Sequence, residues 1–404
     1  MNQPFWRSPL FVLGCAACIV TISFGMRQTF GLYMRPISES LGWGREPLSM
    51  ALAVQNLIVG LGAPFAGALA DKIGTGRVIM SGGALYALGI FLMSQSTTPA
   101  EMLLSAGFLT GFAVSGCSLP LLLSVAGRVA PEAKRSLWLG IITTGGTAGQ
   151  LVIVPMCQGL ISGHGWVAAV MAMAAIAALI VPLAALMSAG AAQALAAVTS
   201  QQSLGQVLRA ASGHGSYILL VSSFFVCGFQ IQFIASHLPA YLADRGSDPS
   251  LGATAIATIG LFNLFGTWSA GWLGGRLPKK YVLSAIYLLR AAIIILFIYL
   301  PMTPATVIAF AASMGFMWLS TVPLTSGIVA QMFGPRYMAT LYGIVYLSHQ
   351  VGSFTGVWLG GRLYDATGSY EVMWWAAIAL GVVAALLNFP IDERPVAQAT
   401  AQKT

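Results

Sequence analysis

Apolar segments of membrane-spanning length follow one another along nearly the whole chain, separated by short turns of Gly, Pro and charge. A helix needs about 20 apolar residues to cross the hydrocarbon core of a bilayer. Segments of that order cover 11–35, 46–70, 76–97, 101–127, 134–160 and 165–188. A second set covers 215–243, 250–274, 280–301, 304–330, 337–363 and 369–390. Proline marks many of the breaks, at Pro36, Pro47, Pro131, Pro278, Pro301, Pro304, Pro335 and Pro390. Charged residues are 7% of the chain and hydrophobic ones 57%, whereas a soluble domain carries about 25% charge. A soluble core cannot absorb that much apolar surface, so lipid is the solvent. Lipid forces backbone groups to bond within their own segment. The expected fold is therefore all-α, with twelve transmembrane helices.

The turn between the second and third segments reads Gly67-Ala68-Leu69-Ala70-Asp71-Lys72-Ile73-Gly74-Thr75-Gly76-Arg77. A weaker copy lies 204 positions later, Gly271-Trp272-Leu273-Gly274-Gly275-Arg276, followed by Lys279 and Lys280; Asp71 maps there to Gly275. Gly140 and Gly343, Gly149 and Gly352, and Gly165 and Gly368 repeat at nearly the same offset. One internal repeat with a charged turn at the same place in each copy points to two six-helix halves. The halves are expected at 1–188 and 215–392. A polar cytoplasmic linker, 189–214, joins them, and a polar tail follows at 393–404.

The formal net charge is +8, but its distribution argues against nucleic acid. One set of loops and termini holds Arg7, Lys72, Arg77, Arg128, Lys134, Arg135, Arg209, Arg276, Lys279, Lys280, Arg336, Arg394 and Lys403. The other holds only Arg35, Arg45, Arg245 and Arg362. The positive-inside rule then places both termini in the cytoplasm of a multi-pass inner-membrane protein. The five cysteines lie within apolar segments without metal-ligand spacing. No phosphate loop, serine elbow or metal motif indicates an enzyme, so no cofactor or metal is expected. The expected partners are the bilayer and a small molecule, for a chain acting as a monomer.

All eleven acids lie near segment ends or in loops, and the polar groups within segments are basic or neutral. That asymmetry favours an anionic substrate over a cation. Arg27 lies inside the first segment, where a guanidinium costs at least about 2.5–3.5 kcal/mol. It either faces a wet cavity and binds a carboxylate bidentately, or snorkels toward the headgroups near Arg35. Gln28 adjoins it. Arg290 lies mid-segment in the second half and reads as a structural ligand of backbone carbonyls or of a neighbouring helix end. In the seventh segment Gln230, Phe233, His237 and Tyr241 share one helical face. In the eleventh, Tyr342, Tyr346, His349 and Gln350 follow helical spacing. Gln55, Asn56, Gln150 and Asn263 complete the expected cavity groups.

The first turn resembles the signature loop of the major facilitator superfamily, Gly-x-Leu-x-Asp-(Arg/Lys)-x-Gly-x-x-(Arg/Lys). The resemblance implies a conformational gating role for Gly67, Asp71, Lys72, Gly74 and Arg77. It also implies secondary transport by alternating access, around a site lined by helices 1, 2, 4, 5, 7, 8, 10 and 11. Within that superfamily the chain is most similar to bacterial relatives of the monocarboxylate transporters and the oxalate:formate antiporter. Arg27 stands at that family's basic position in the first helix. His349 stands where such proteins carry a charged residue in the eleventh. The run Gly356-Val357-Trp358-Leu359-Gly360-Gly361-Arg362-Leu363-Tyr364-Asp365 resembles the end of that helix. The family's Asp and Arg, four apart in the eighth helix, are Asn263 and Thr267 here, so that carboxylate anchor is missing. The implied substrate is a small, monocarboxylate-like organic anion; with no acid mid-segment, titration of His349 near neutral pH is the expected route for any proton coupling. The alternative is efflux of amphipathic drugs, whose fifth-helix Gly-x-x-x-Gly-Pro pattern is absent between Gly140 and Gln150.

Overall fold

The computed structural model describes residues 8–119, 121–123, 125, 135–191, 211–333 and 338–395. Most of the expected linker and the end of the tail, 192–210 and 396–404, lie outside the described residues. Helices make up the fold in this order: α1 Pro9–Arg27, α2 Met34–Leu41, α3 Glu46–Ile73, α4 Thr75–Gln95, α5 Pro99–Met102, α6 Thr110–Gly116, α7 Arg135–Ala178 and α8 Ile180–Ala191. In the second half they are α9 Gly215–Asp244, α10 Pro249–Gly274, α11 Lys279–Tyr299, α12 Pro304–Met317, α13 Thr321–Phe333, α14 Met338–Thr367 and α15 Glu371–Asn388.

Ten stretches among the described residues are long and apolar enough to cross a membrane. The difference from the expected twelve lies in two places. Thr144–Ser188 is 45 residues, about two membrane thicknesses of helix, and Gly165 at φ 81° breaks it. Helix α14 is 30 residues long, but its Gly, Ser, Thr, His and Gln content keeps it out of the apolar set. Large apolar side chains such as Phe65, 76% exposed, and Leu386, 67% exposed, point outward, as lipid-facing groups do.

The repeat is written into the local geometry. Gly165 and Gly368 both have positive φ, 81° and 69°, at equivalent turns; so do Gly42 and Gly246, 67° and 80° and 204 positions apart. Capping boxes start corresponding helices, at Thr98 with Glu101 and at Thr303 with Thr306. Each cap satisfies N–H groups that a helix start leaves free. Helix pairing repeats as well. Gly149 of α7 seats against the Thr21 carbonyl of α1, and Gly352 of α14 seats against the Phe225 carbonyl of α9. Without a hydrophobic drive between helices in lipid, such close backbone approach carries the packing.

Where helices break, side chains serve the freed backbone. The chain is interrupted between α12 and α13. There Arg290, fully buried in α11, donates to the carbonyls of Met317 and Trp318, the latter at 2.7 Å. Asn263 Oδ1 accepts the Leu319 N–H at 3.0 Å and the Thr267 hydroxyl at 3.1 Å. A π-helical stretch, Leu103–Leu109, opens a carbonyl at Ala106 that takes the Gln55 amide at 2.8 Å.

The halves meet along α3 with α14 and α7 with α10. They are tied most tightly at the end where α2 turns into α3. The backbone N–H groups of Arg45 and Glu46 donate to the two oxygens of Asp365, each at 2.7 Å. The start of α3 has no cap of its own, so a carboxylate of the other half supplies it. The Arg45 guanidinium pairs with Asp244 at 2.6 Å, donates to Tyr370 at 2.8 Å and lies 3.8 Å from the Tyr364 ring. Arg362 and Trp358 both donate to Glu46. The molecule is thus closed at its Arg45 end.

Candidate functional site

Helix α1 stops at Arg27, and a short 3-10 turn, Phe30–Tyr33, follows. The Gln28 and Thr29 N–H groups fold back to Gly25 and Met26. Gly31 sits against the Ala235 and Ser236 carbonyls of α9, so the break is pressed onto the other half. Arg27 is half-buried at this break. Its Nη2 donates to Asn56 Oδ1 of α3 at 2.6 Å. Among the described residues it has no carboxylate partner. Arg35, Arg45, Arg362 and Arg394 each have one.

Asn56 is the hub of a polar bridge between the halves. Its Oδ1 also accepts from Gln232 of α9 at 3.0 Å, and its amide donates to Leu52. Its backbone carbonyl accepts from Gln350 Nε2 of α14 at 2.7 Å. With the Gln350 amide nitrogen committed there, its Oε1 faces His349 Nδ1 at 3.0 Å. An amide oxygen only accepts, so this contact is made with the ring proton on Nδ1, and the Cys227 thiol of α9 also meets the ring. The Tyr346 ring stacks on His349, 5.9 Å between centroids and 6° from parallel. Phe224 of α9 packs on the imidazole. Gln28 lies beside Arg27.

The structure therefore brings together Arg27, Asn56, Tyr346, His349 and Gln350, with Gln28 next to Arg27 in the chain, and sets other expected residues apart. Gln55 serves the π-helical carbonyl in the N-terminal half. Gln150 donates to the Ile256 carbonyl of α10 and ties the halves together. Asn263 serves the break before α13. The shared face of α9 turns into the C-terminal half. There Gln230 donates to the Ala377 carbonyl, and His237 bridges Tyr370 and the Val357 carbonyl. Tyr241 packs among Phe297, Tyr370 and Trp374. The periodicity is as expected, but the face looks the other way. Gln232, on the opposite side of the helix, reaches Asn56. A second residue outside the expected set is Tyr86 of α4. Among the described residues its buried hydroxyl has no hydrogen-bond partner, and it lies within electrostatic reach of Arg27.

At the far end of α3, Gly74 has φ 96° and closes the helix with its N–H on Ala70. Lys72 is exposed, and Arg77 caps the Ile73 carbonyl at 3.5 Å. Gly67 faces open space. The Asp71 side chain lies outside the described residues. No cluster of metal-ligating side chains occurs among the described residues.

Known proteins extend the picture. Monocarboxylate transporter 13 of Rattus norvegicus is 26% identical over 357 residues, covering 86% of this chain and 80% of that protein. The uncharacterized MFS-type transporter YcxA of Bacillus subtilis (strain 168) is 21% identical over 85% of each chain. A crystal structure of a bacterial homolog of the human lysosomal transporter Spinster, inward-facing and occupied, superposes with a TM-score of 0.75 at 17% identity, over 96% of this chain and 97% of that one. A family model described as Major Facilitator Superfamily matches residues 16–356 and 270–404. The chain is a member of the Major Facilitator Superfamily.

Proposed function

We propose that this transporter moves a small organic anion, monocarboxylate-like, across the inner membrane by alternating access. The supporting observation is Arg27. It is a half-buried guanidinium at a helix break, with neutral partners only among the described residues. Asn56 Oδ1 takes one of its five N–H donors. The others are free to grip a carboxylate in a planar fork. Asn56 already joins Arg27 to Gln232 and Gln350, so an anion at Arg27 touches both halves through one hub. Binding there changes the contacts between them, as a rocking mechanism needs. The signature turn at Gly67–Arg77 gates the opposite end from Arg45, with Asp71, Lys72 and Gly74 closing it in the alternate state. His349 supplies proton coupling, since no carboxylate lies mid-span and histidine is the side chain that switches charge near neutral pH. The naming of relatives as monocarboxylate transporters supports the same substrate class.

Ligand-induced stabilisation of purified protein tests this. A monocarboxylate at about 100 Kd stabilises by about 2.7 kcal/mol, and solute counterflow of the same compound in proteoliposomes then shows transport. Stabilisation by amphipathic cations, with none by monocarboxylates, would instead support drug efflux.

A further inference from the structure

A groove of about 470 Å³ lies on the lipid-facing side of the C-terminal half, between α10, α11 and α12. Its volume is in the range of small-molecule sites, yet it is remote from Arg27. Small side chains create it: Ala270 on α10, Ala285 on α11, and Ala312 and Ser313 on α12. Gly266 packs against the Phe316 carbonyl and Gly315 against the Ile259 carbonyl. These contacts pull α10 onto α12 and leave α11 standing off.

The groove has a length and a polarity. Along α10 it runs from Phe262 to Leu273, and along α11 from Val282 to Ile293. Either distance is about 16 Å of helix. Half of a bilayer's hydrocarbon core is about 15 Å. The groove thus reaches from one membrane surface to the midplane, the depth of a single acyl chain. Leu273 and Val282 flank the turn that carries Arg276, Lys279 and Lys280. Arg276 is exposed and lies 3.7 Å over the Trp272 ring. Among the described residues, Lys279 Nζ bonds only the neutral Gln331 amide, at 2.8 Å. Lys280 sits beside the acids of the tail, its N–H on Glu393 and its charge near Asp392, so it is partly offset. At the other end of the groove, Arg290 adjoins the lining but is fully buried, with its guanidinium turned to the Met317 and Trp318 carbonyls.

We propose that this groove is a site for one anionic phospholipid, with an acyl chain in the groove and the headgroup phosphate on Arg276 and Lys279. An aromatic side chain at the interface with basic residues just beyond it, above an apolar slot, is the arrangement that recognises such a lipid. The lipid wedges α11 against α10 and α12 from the leaflet that the basic turns face.

Native mass spectrometry of the full chain tests this, using detergent micelles doped with phosphatidylglycerol or with phosphatidylcholine of the same acyl chains. One phosphatidylglycerol is expected to remain bound, with phosphatidylcholine retained at about a tenth of that level or less. The double variant Arg276→Gln/Lys279→Gln should weaken retention by about tenfold or more. Ala285→Trp, which fills the groove from an exposed position, should do the same with the basic turn intact. Glycerol 3-phosphate, which has the phosphate and no chain, should not displace the lipid. Equal retention of the two lipids would overturn the proposal. So would an unchanged adduct in the double variant, displacement by glycerol 3-phosphate, or a second copy of the chain in place of the lipid. Should Ala285→Trp not fold, lysophosphatidylglycerol carries the same test. With one chain it should be retained as well as the two-chain lipid, and failure to bind would contradict a single-chain groove.

Discussion

Arg27 and Arg290 show two ways in which a transmembrane segment holds a guanidinium. Arg290 is fully buried and spends its donors on the carbonyls of Met317 and Trp318, which a broken helix leaves open. Replacing it with Leu orphans those carbonyls, at about 1–3 kcal/mol for each. Arg290→Leu is therefore expected to lower thermal stability in detergent while the folded fraction binds ligand normally. Lost binding with an unchanged melting temperature would assign Arg290 to the site instead. The sequence shows both arginines as charges inside apolar segments and reads Arg290 as a carbonyl ligand, which its bonds match. It does not show which carbonyls, because the break between α12 and α13 lies 27 residues away in the chain. His349 gives the second residue-level prediction. Its ring faces Gln350, Ser353, Tyr346, Phe224 and the Cys227 thiol. Uptake should rise as pH falls, and His349→Gln should flatten that profile. A variant that keeps the wild-type pH profile would remove His349 from coupling.

At the scale of elements, the closed end depends on a helix cap given by the opposite half. Asp365 on α14 accepts both N–H groups at the start of α3, where charge also meets the helix dipole favourably. Asp365→Asn keeps the shape and weakens both bonds. Spin labels at Glu39 and Ser250, one in each half, should then show a longer distance population than in the unmutated labelled protein. An unchanged distribution would mean that the Arg45 and Glu46 ion pairs hold that end alone. None of this is legible in the sequence. Arg45, Asp244 and Asp365 appear there as separate loop charges, and only the fold brings positions 320 residues apart to 2.7 Å. The face of α9 fails for a related reason. Helical periodicity groups Gln230, His237 and Tyr241, but both sides of this helix are buried in protein. With two buried faces, polarity alone does not say which one looks at the cavity, and so Gln232 goes unseen.

For the whole molecule, the repeat is what the sequence shows best. Paired glycines mark the same turns and the same helix crossings in both halves, because a backbone carbonyl at contact leaves no room for a side chain. Span boundaries follow from apolar length, and the 337–363 segment falls on α14, although Gly, Ser and His dilute its apolar signal. Loop charge predicts that the Arg45 end faces the periplasm. A cysteine at Glu39 should react with an impermeant maleimide in intact cells and one at Lys72 should not. The reverse pattern would invert the topology and place the closed end in the cytoplasm.

The central claim is that Arg27 grips a carboxylate. Ligand affinity of well-folded Arg27→Gln, measured beside the unmutated protein and Arg27→Lys, tests it most directly. Loss of charge-assisted bonds is worth about 1.5–3 kcal/mol, so Arg27→Gln should bind a monocarboxylate on the order of ten- to a hundredfold more weakly. Arg27→Lys, which keeps the charge without the planar fork, should fall between the two. Wild-type affinity in Arg27→Gln would contradict the account.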